Sequence, residues 1–251
     1  MVYKRILHHK NVLTLQCILI SRIILLKAAA HNAVNQEEKI MKIAVIGATG
    51  KQGRLLVKEA LRRGHIVTAI VRNASKLEET NVSVIEKDIM SLTYADLAEQ
   101  DAILDAIGVW TTEEFGLYQT SLEHLSNLLS GKPNRLLVVG GAGGLYADET
   151  RTLRVVETSG FPEDWKPMAL SMMAAFETLK KRDDVKWTFM SPPAFFNAEG
   201  ERTGSYRLGG DVLLVNGAGK SEISYADYAI AMLDEAEKGL HIKARVTVVS
   251  V

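Results

Sequence analysis

Beyond Met41 the chain breaks into short apolar runs separated by amphipathic stretches. Six runs are mostly apolar over five or six residues: Lys42–Ile46, Ile66–Val71, Val82–Glu86, Ala102–Ala106, Arg135–Val139 and Trp187–Ser191. A strand with helices on both faces reads this way, because neither set of its side chains meets water. A further run, Arg245–Val249, closes the chain as a last strand. Helical spacing fills the gaps. Lys51–Arg63 stops at Gly64, a residue that readily takes the left-handed backbone of a helix end. Glu114–Ser130 places Tyr118, Leu122, Leu125 and Leu129 on one face. Another helix begins near Pro167, since proline fits a first turn whose N–H has no partner. The last runs from Ser224-Tyr-Ala-Asp227, which has the spacing of a reciprocal cap, to Glu237. Strands alternating with helices predict one α/β domain built on a doubly wound parallel sheet. The segment Pro192–Ile223 departs from the alternation. It holds Gly200, Gly204, Gly209, Gly210, Gly217 and Gly219 without a long helical period. It is expected to wall a substrate pocket above the carboxyl edge of the sheet.

The first strand runs straight into Gly47-Ala-Thr49-Gly50-Lys51-Gln52-Gly53, a G-x-x-G-x-x-G pattern that opens the first helix. Gly47 permits the tight turn, Gly50 lets backbone approach a pyrophosphate, and Gly53 brings helix and strand together. The helix N-terminus adds free amides and partial positive charge, which suits phosphate. The alternative is a tight turn with no ligand; the strand–turn–helix context argues for a Rossmann-like dinucleotide site.

The end of the second strand bears on which dinucleotide. An NAD site places an acidic residue there to hold the ribose hydroxyls. This chain has Val71-Arg72-Asn73. An arginine fork pairs with a 2′-phosphate, so NADP(H) is favoured over NAD(H), with Lys51 as a second positive contact. A solvated loop arginine is the competing reading. Asp88-Ile89 follow the third strand, where they would meet adenine unless Asp88 merely caps a turn. Ala106-Ile107-Gly108 end the fourth strand and are small enough for close backbone passage by the nicotinamide ribose. Past these lie Trp110 and Phe115, and on the opposite wall Phe195 and Phe196, all candidates to stack on a planar acceptor or simply to pack. Arg202 and Arg207, in the glycine-rich segment, are candidates for a flavin phosphate or for plain surface.

Composition narrows the class. The 251 residues carry 30 basic and 30 acidic side chains, so binding to nucleic acid through bulk positive charge is not expected. One cysteine excludes a disulfide framework and multi-cysteine metal sites. His65 and His124 have no ligand partner at a useful spacing, and no metal is expected.

The charge is uneven, however. Residues 1–40 sum to +4 and hold Cys17; residues 41–251 sum to −4. The apolar stretch Val12–Leu26 is shorter than a membrane span and is broken by Gln16, Ser21 and Arg22. A central arginine costs roughly 2.5–3.5 kcal/mol on insertion scales. A signal peptide has its basic start in Lys4, Arg5 and Lys10, yet Arg22 interrupts its apolar core. A third reading is that residues 1–40 form a non-native or disordered extension and that translation starts at Met41. In a bacterial source, the codons CAG-GAG-GAA for Gln36–Glu38 would contain the ribosome-binding sequence AGGAGG just upstream. The intact mass of the natively expressed protein decides among these. The expectation is a cytoplasmic domain over 41–251, with a small-molecule acceptor and neither membrane nor nucleic acid as partner.

Several stretches together resemble one family. They are Ile46-Gly-Ala-Thr-Gly-Lys-Gln-Gly53, Leu136-Leu-Val-Val-Gly140-Gly141-Ala-Gly-Gly144 and Trp187-Thr-Phe-Met-Ser-Pro192-Pro-Ala194-Phe195-Phe196. Gly200-Glu-Arg-Thr-Gly-Ser-Tyr-Arg-Leu-Gly-Gly210 and Ile223-Ser-Tyr-Ala-Asp-Tyr228 complete the set. Over 41–251 the chain resembles the atypical short-chain dehydrogenase/reductase group of NAD(P)H-binding proteins. It is most similar to bacterial NADH-flavin reductase-like proteins, which are related to NADPH-dependent flavin and biliverdin reductases. The resemblance implies that the segment Pro192–Phe195 passes near the nicotinamide end of the cofactor, with Pro192 and Ala194 as candidate contacts. Gly140 and Gly141 at the end of the fifth strand are further candidate cofactor-binding residues. It also exposes departures. Typical members use a serine after the fifth strand and a Tyr-x-x-x-Lys pair on the next helix. Here the fifth strand ends in Gly140–Gly144, and none of the seven tyrosines has a lysine four positions on. The following helix reads Met172-Met-Ala-Ala-Phe176.

General-acid alcohol or ketone chemistry of the usual kind is therefore not expected. Hydride transfer to a flavin survives the loss, because that reaction asks the protein chiefly to stack two flat rings. The expected function is an NAD(P)H-dependent reductase acting on a flavin or similar planar acceptor. No catalytic side chain is assigned, and Trp110 and Phe195 are the candidate stacking residues. The alternatives are a quinone reductase and a non-enzymatic NADP(H)-binding redox sensor.

Overall fold

The computed structural model describes residues 39–251. The leader features read above, Cys17 and Val12–Leu26 among them, lie outside the described residues. The elements from residue 40 onward follow the predicted alternation closely. The strands are β1 (Lys42–Ile46), β2 (Ile66–Val71), β3 (Ser83–Glu86), β4 (Ala102–Asp105), β5 (Arg135–Val139) and β6 (Lys186–Ser191). Then come β7 (Phe195–Asn197), β8 (Tyr206–Gly209), β9 (Glu222–Ser224) and β10 (Ala244–Ser250). The helices are α1 (Lys51–Arg62), α2 (Tyr94–Leu97), α3 (Leu117–Leu128), α4 (Lys166–Leu179) and α5 (Tyr225–Lys238).

Eight strands form one sheet in the order β3-β2-β1-β4-β5-β6-β10-β8. All neighbours are parallel except β8, which runs antiparallel to β10 and forms an edge. The order 3-2-1-4-5-6 reverses between β1 and β4, and that switch point is where such sheets open a crevice for ligands. The remaining strands, β7 and β9, make a separate parallel pair in the glycine-rich segment.

Alternate residues of each central strand feed opposite faces. Ile43 and Val45 pack with Leu56, Val57 and Ala60 of α1 and Met232 and Leu233 of α5. Ala44 and Ile46 belong with Leu122 and Leu125 of α3 and Phe176 and Leu179 of α4. Both faces are dry, which is why the strands read as unbroken apolar runs. Each fully buried leucine or isoleucine contributes roughly 1.5–3 kcal/mol.

Some predicted boundaries shift. The third helix begins at Leu117 rather than Glu114, because Thr112–Glu114 form a separate 3-10 turn. The reciprocal cap read from Ser224 and Asp227 is only half present. Ser224 Oγ accepts the Asp227 N–H at 3.0 Å, but the Asp227 carboxylate turns to the glycine-rich segment. There it accepts the N–H groups of Thr203 and Gly204 at 2.9 and 2.8 Å and the Thr203 hydroxyl at 2.7 Å. A buried side chain of α5 thus fixes the Thr203–Gly204 turn inside the segment expected to wall the pocket.

Candidate functional site

The glycine loop has the geometry of a phosphate cradle. Gly47 has φ +75°, a left-handed conformation that other residues adopt only with strain, and its N–H donates to the Ile70 carbonyl at 3.0 Å. A Cβ on Gly47 would lie 2.7 Å from the Ala106 carbonyl oxygen, so the loop and the end of β4 touch. A Cβ on Gly53 would run into the Gly47 carbonyl, which is how α1 starts so close to β1. Gly50 caps α1 with no side-chain bond, and no acidic residue stands in the first turn. The first-turn amides and the positive end of the helix dipole are left for an anion.

Two cations stand beside this cradle. Arg72 and Lys51 are both exposed, and neither makes a hydrogen bond or ion pair among the described residues. Arg54 is committed elsewhere, donating to the Thr49 carbonyl at 3.0 Å and pairing with Glu78. Asn73 accepts the Ser75 N–H at 2.9 Å, and Asp88 accepts the Met90 N–H at 2.9 Å. Both therefore cap local turns, and Ile89 is buried in the core.

One orphaned atom lies in the loop itself. Gln52 is buried and its Nε2 donates to the Tyr225 carbonyl at 3.2 Å, while its Oε1 is buried without a partner. A buried acceptor left unpaired costs about 1–3 kcal/mol, which a donor on a bound ligand would relieve. The cradle, the free cations and this acceptor fit a phosphorylated dinucleotide.

Beyond β1 the strand order brings together the ends of β4, β5 and β6, where the small residues fall. Ala106 and Gly108 follow β4, with the Trp110 indole folded over Gly108. Gly140 donates its N–H to the Met190 carbonyl at 2.8 Å, and Gly141 faces Met172 of α4. Pro192 is buried and Ala194 exposed, the latter donating its N–H to Ser221 Oγ at 3.1 Å.

The aromatic candidates divide. Trp110 is 77% exposed and Phe195 56%. Phe196, in contrast, lies between Tyr225 and Tyr228, with ring centroids at 3.9 and 4.7 Å. Phe115 packs on the α3–α4 core, and its carbonyl accepts the Ser171 hydroxyl. These two are packing residues.

Arg202 is likewise spoken for, bridging to buried Glu59 at 3.2 Å, and Arg207 donates to the Val215 carbonyl at 2.6 Å. His65 joins the Met41 N–H to Glu237, and His124 bonds the Leu92 carbonyl. Among the described residues no group of three or more His, Cys, Asp or Glu could hold a metal ion. None of their helices is long and apolar enough to cross a membrane.

Two further polar side chains stand at this edge: Asp105, to which the sequence assigns no functional role, and Tyr118, which it places only on the apolar face of its helix. Asp105 closes β4 and is buried, and burial pushes its carboxyl up to about 6 despite the N–H bond from Ile107. Tyr118 of α3 meets the Val109 backbone. The one visible sign was an acidic residue at the end of the otherwise apolar run Ala102-Ile-Leu-Asp105.

Comparison with known proteins agrees with this geometry. Residues 47–236 match the family described as NAD(P)H-binding, a span that starts at the first glycine of the cradle and ends in α5. The chain belongs to that family. It is 48% identical over 210 residues to the protein YwnB of Bacillus subtilis, spanning 84% of this chain and 99% of the relative. A Streptococcus pneumoniae structure described as "a putative NADH-flavin reductase" superimposes with TM-score 0.80 at 45% identity. That alignment covers 84% of this chain and all of the other. A Lactobacillus casei structure gives TM-score 0.77 at 34% identity over the same 84% and 100%. The NAD(P)H-binding assignment and the Rossmann-like sheet therefore hold over nearly the whole described domain.

Proposed function

We propose that the chain is an NAD(P)H-dependent reductase that prefers NADPH and delivers reducing equivalents to a flavin or a similarly flat acceptor. The carrying observation is the pairing of a phosphate cradle with small residues and exposed aromatic rings at the same carboxyl edge of the sheet. On one side of the switch point the cradle and unpaired Arg72 suit a 2′-phosphorylated dinucleotide. On the other, the ends of β4 and β5 carry alanine and glycine, and the rings of Trp110 and Phe195, which follow β4 and β6, are exposed. Bound NAD(P)H would supply the hydride. The residues of this chain bind and orient. The first turn of α1 holds the pyrophosphate, Arg72 holds the 2′-phosphate, and the small strand ends let two rings approach. Trp110 and Phe195 offer stacking faces.

The floor at Gly140–Gly144 carries no hydroxyl, and the facing stretch of α4 offers Met172 and Met173. These residues favour an acceptor that needs no proton relay over an alcohol or ketone. The flavin-reductase description of the S. pneumoniae relative points the same way.

The test follows NADPH absorbance with the purified full chain, alone and with riboflavin, FMN, FAD or a quinone. Oxidation that depends on flavin supports the reading. Oxidation with quinone alone moves the assignment to a quinone reductase. Tight NADPH binding without oxidation by any acceptor moves it to a redox sensor.

A further inference from the structure

The turn after β4 is anchored from beneath by two polar side chains in apolar surroundings. Asp105 is 3% exposed and faces the α3–α4 side of the sheet, sharing its register level with Val138 of β5. Its Oδ1 accepts the N–H of Ile107 at 3.2 Å. From α3 the Tyr118 hydroxyl reaches the same turn. It accepts the Val109 N–H at 3.2 Å and donates to the Val109 carbonyl at 3.3 Å. Both side chains line one narrow cleft whose other walls include Leu122, Val138, Met172 and Phe189, and no third titratable side chain lines it.

Such groups are costly where they stand. Burial raises the Asp105 carboxyl and also raises the Tyr118 phenol. A packed apolar pair would fill this space without that penalty. Among the described residues, the only hydrogen bonds these two side chains make go to the backbone of residues 107–109. On its upper side the same turn meets the cradle, where the Ala106 carbonyl crowds Gly47. The turn therefore sits between the glycine loop above and two polar anchors below. It also lies on the β4 side of the switch point, across β1 from Arg72. With the pyrophosphate at the α1 N-terminus and the adenosine ribose at the end of β2, the nicotinamide half would be the part that crosses it.

We infer that Asp105 and Tyr118 are positioning residues for the cofactor. By holding Ala106–Val109 against Gly47 they set the path of the nicotinamide half, and they leave the adenosine half untouched. Neither side chain contacts the dinucleotide. The inference depends neither on which acceptor is reduced nor on the preference for NADPH.

The test compares the dinucleotides with fragments that lack nicotinamide. Dissociation constants are measured on the full chain for NADPH against adenosine 2′,5′-bisphosphate, and for NADH against ADP. Asp105→Leu removes the acceptor for Ile107, and dinucleotide binding is expected to weaken about tenfold while fragment binding stays within about twofold. Asp105→Asn keeps an acceptor oxygen and should restore dinucleotide binding to within about twofold of wild type. Tyr118→Phe, which changes volume little, should give a selective loss of about fivefold, and it carries the test if Asp105→Leu does not fold. Equal losses for dinucleotide and fragment would overturn the inference. So would unchanged dinucleotide binding in Tyr118→Phe and Asp105→Leu.

Discussion

Replacing Asp105 with asparagine should stabilise the protein progressively as the pH rises. The carboxyl is buried with a single hydrogen bond among the described residues, and burial lifts it from 3.8 to about 6. The folded state therefore holds a proton between about pH 4 and pH 6 that the unfolded chain releases. For a carboxyl raised in this way, native stability falls as the pH climbs through that window. Below it both states are protonated and the penalty vanishes; above it the penalty is complete. A displacement of about two units corresponds to about 3 kcal/mol at roughly 1.4 kcal/mol per unit. Asparagine never ionises and keeps an oxygen for the Ile107 N–H. Its amide hydrogens add a constant offset that does not change with pH. The quantity to measure is the difference in unfolding free energy between Asp105→Asn and wild type, by urea titration from about pH 4 to about pH 7.5. It should move in favour of the variant by about 3 kcal/mol across that range, or roughly 6–12 °C in Tm for a domain of this size. Tyr118, the other titratable group in the cleft, is neutral throughout. A difference that is flat with pH would refute the reasoning, because Asp105 would then ionise in the folded protein as easily as in the unfolded one.

Three further outcomes follow from single sites. Trp110→Ala should raise KM for flavin by up to about tenfold and leave KM for NADPH unchanged, as expected for one lost stacking face; steady-state kinetics with each substrate varied checks this. Gly53→Ala should lose NADPH binding by more than about tenfold, because a methyl group there strikes the Gly47 carbonyl and forces the cradle open; fluorescence titration reads it. At Glu59, burial alone would raise the carboxyl, but hydrogen bonds from Arg62 and Arg63 prevail and bring it down to about 2. Its stabilisation is therefore present above the unfolded value near 4.5 and lost as the pH falls toward 2. Glu59→Gln should accordingly be less stable than wild type at neutral pH, with the gap closing in acid denaturation.

How far the sequence alone reached can be traced residue by residue. The central strands were legible because helices bury both faces, so Ile43 and Ala44 are equally apolar though they point in opposite directions. The glycine cradle was legible because steric needs at Gly47 and Gly53 leave almost no other choice of residue. The sequence is silent where a side chain's partner lies far along the chain. Arg202 has the composition of a phosphate contact, but Glu59, 143 positions earlier, claims it. Phe196 was read like Phe195, yet the two face opposite ways on β7, and only Phe196 meets Tyr225 and Tyr228. Asp227 fitted a local capping box, while the structure spends its carboxylate on Thr203 and Gly204. Asp105 draws no notice inside the run Ala102–Ala106, because its cost depends on α3 and α4 closing over it. Local rules see the backbone's demands; tertiary burial decides what each charge does.

The central claim is that the cradle and Arg72 together hold a 2′-phosphorylated dinucleotide. It is tested most directly by titrating wild type and Arg72→Glu with NADPH and with NADH. A charge-assisted contact to the 2′-phosphate amounts to about 1.5–3 kcal/mol, so wild type should bind NADPH roughly 10–100-fold more tightly than NADH. Arg72→Glu should abolish that preference and leave NADH affinity nearly unchanged. Equal affinities in wild type, or a preference that survives Arg72→Glu, would contradict the account.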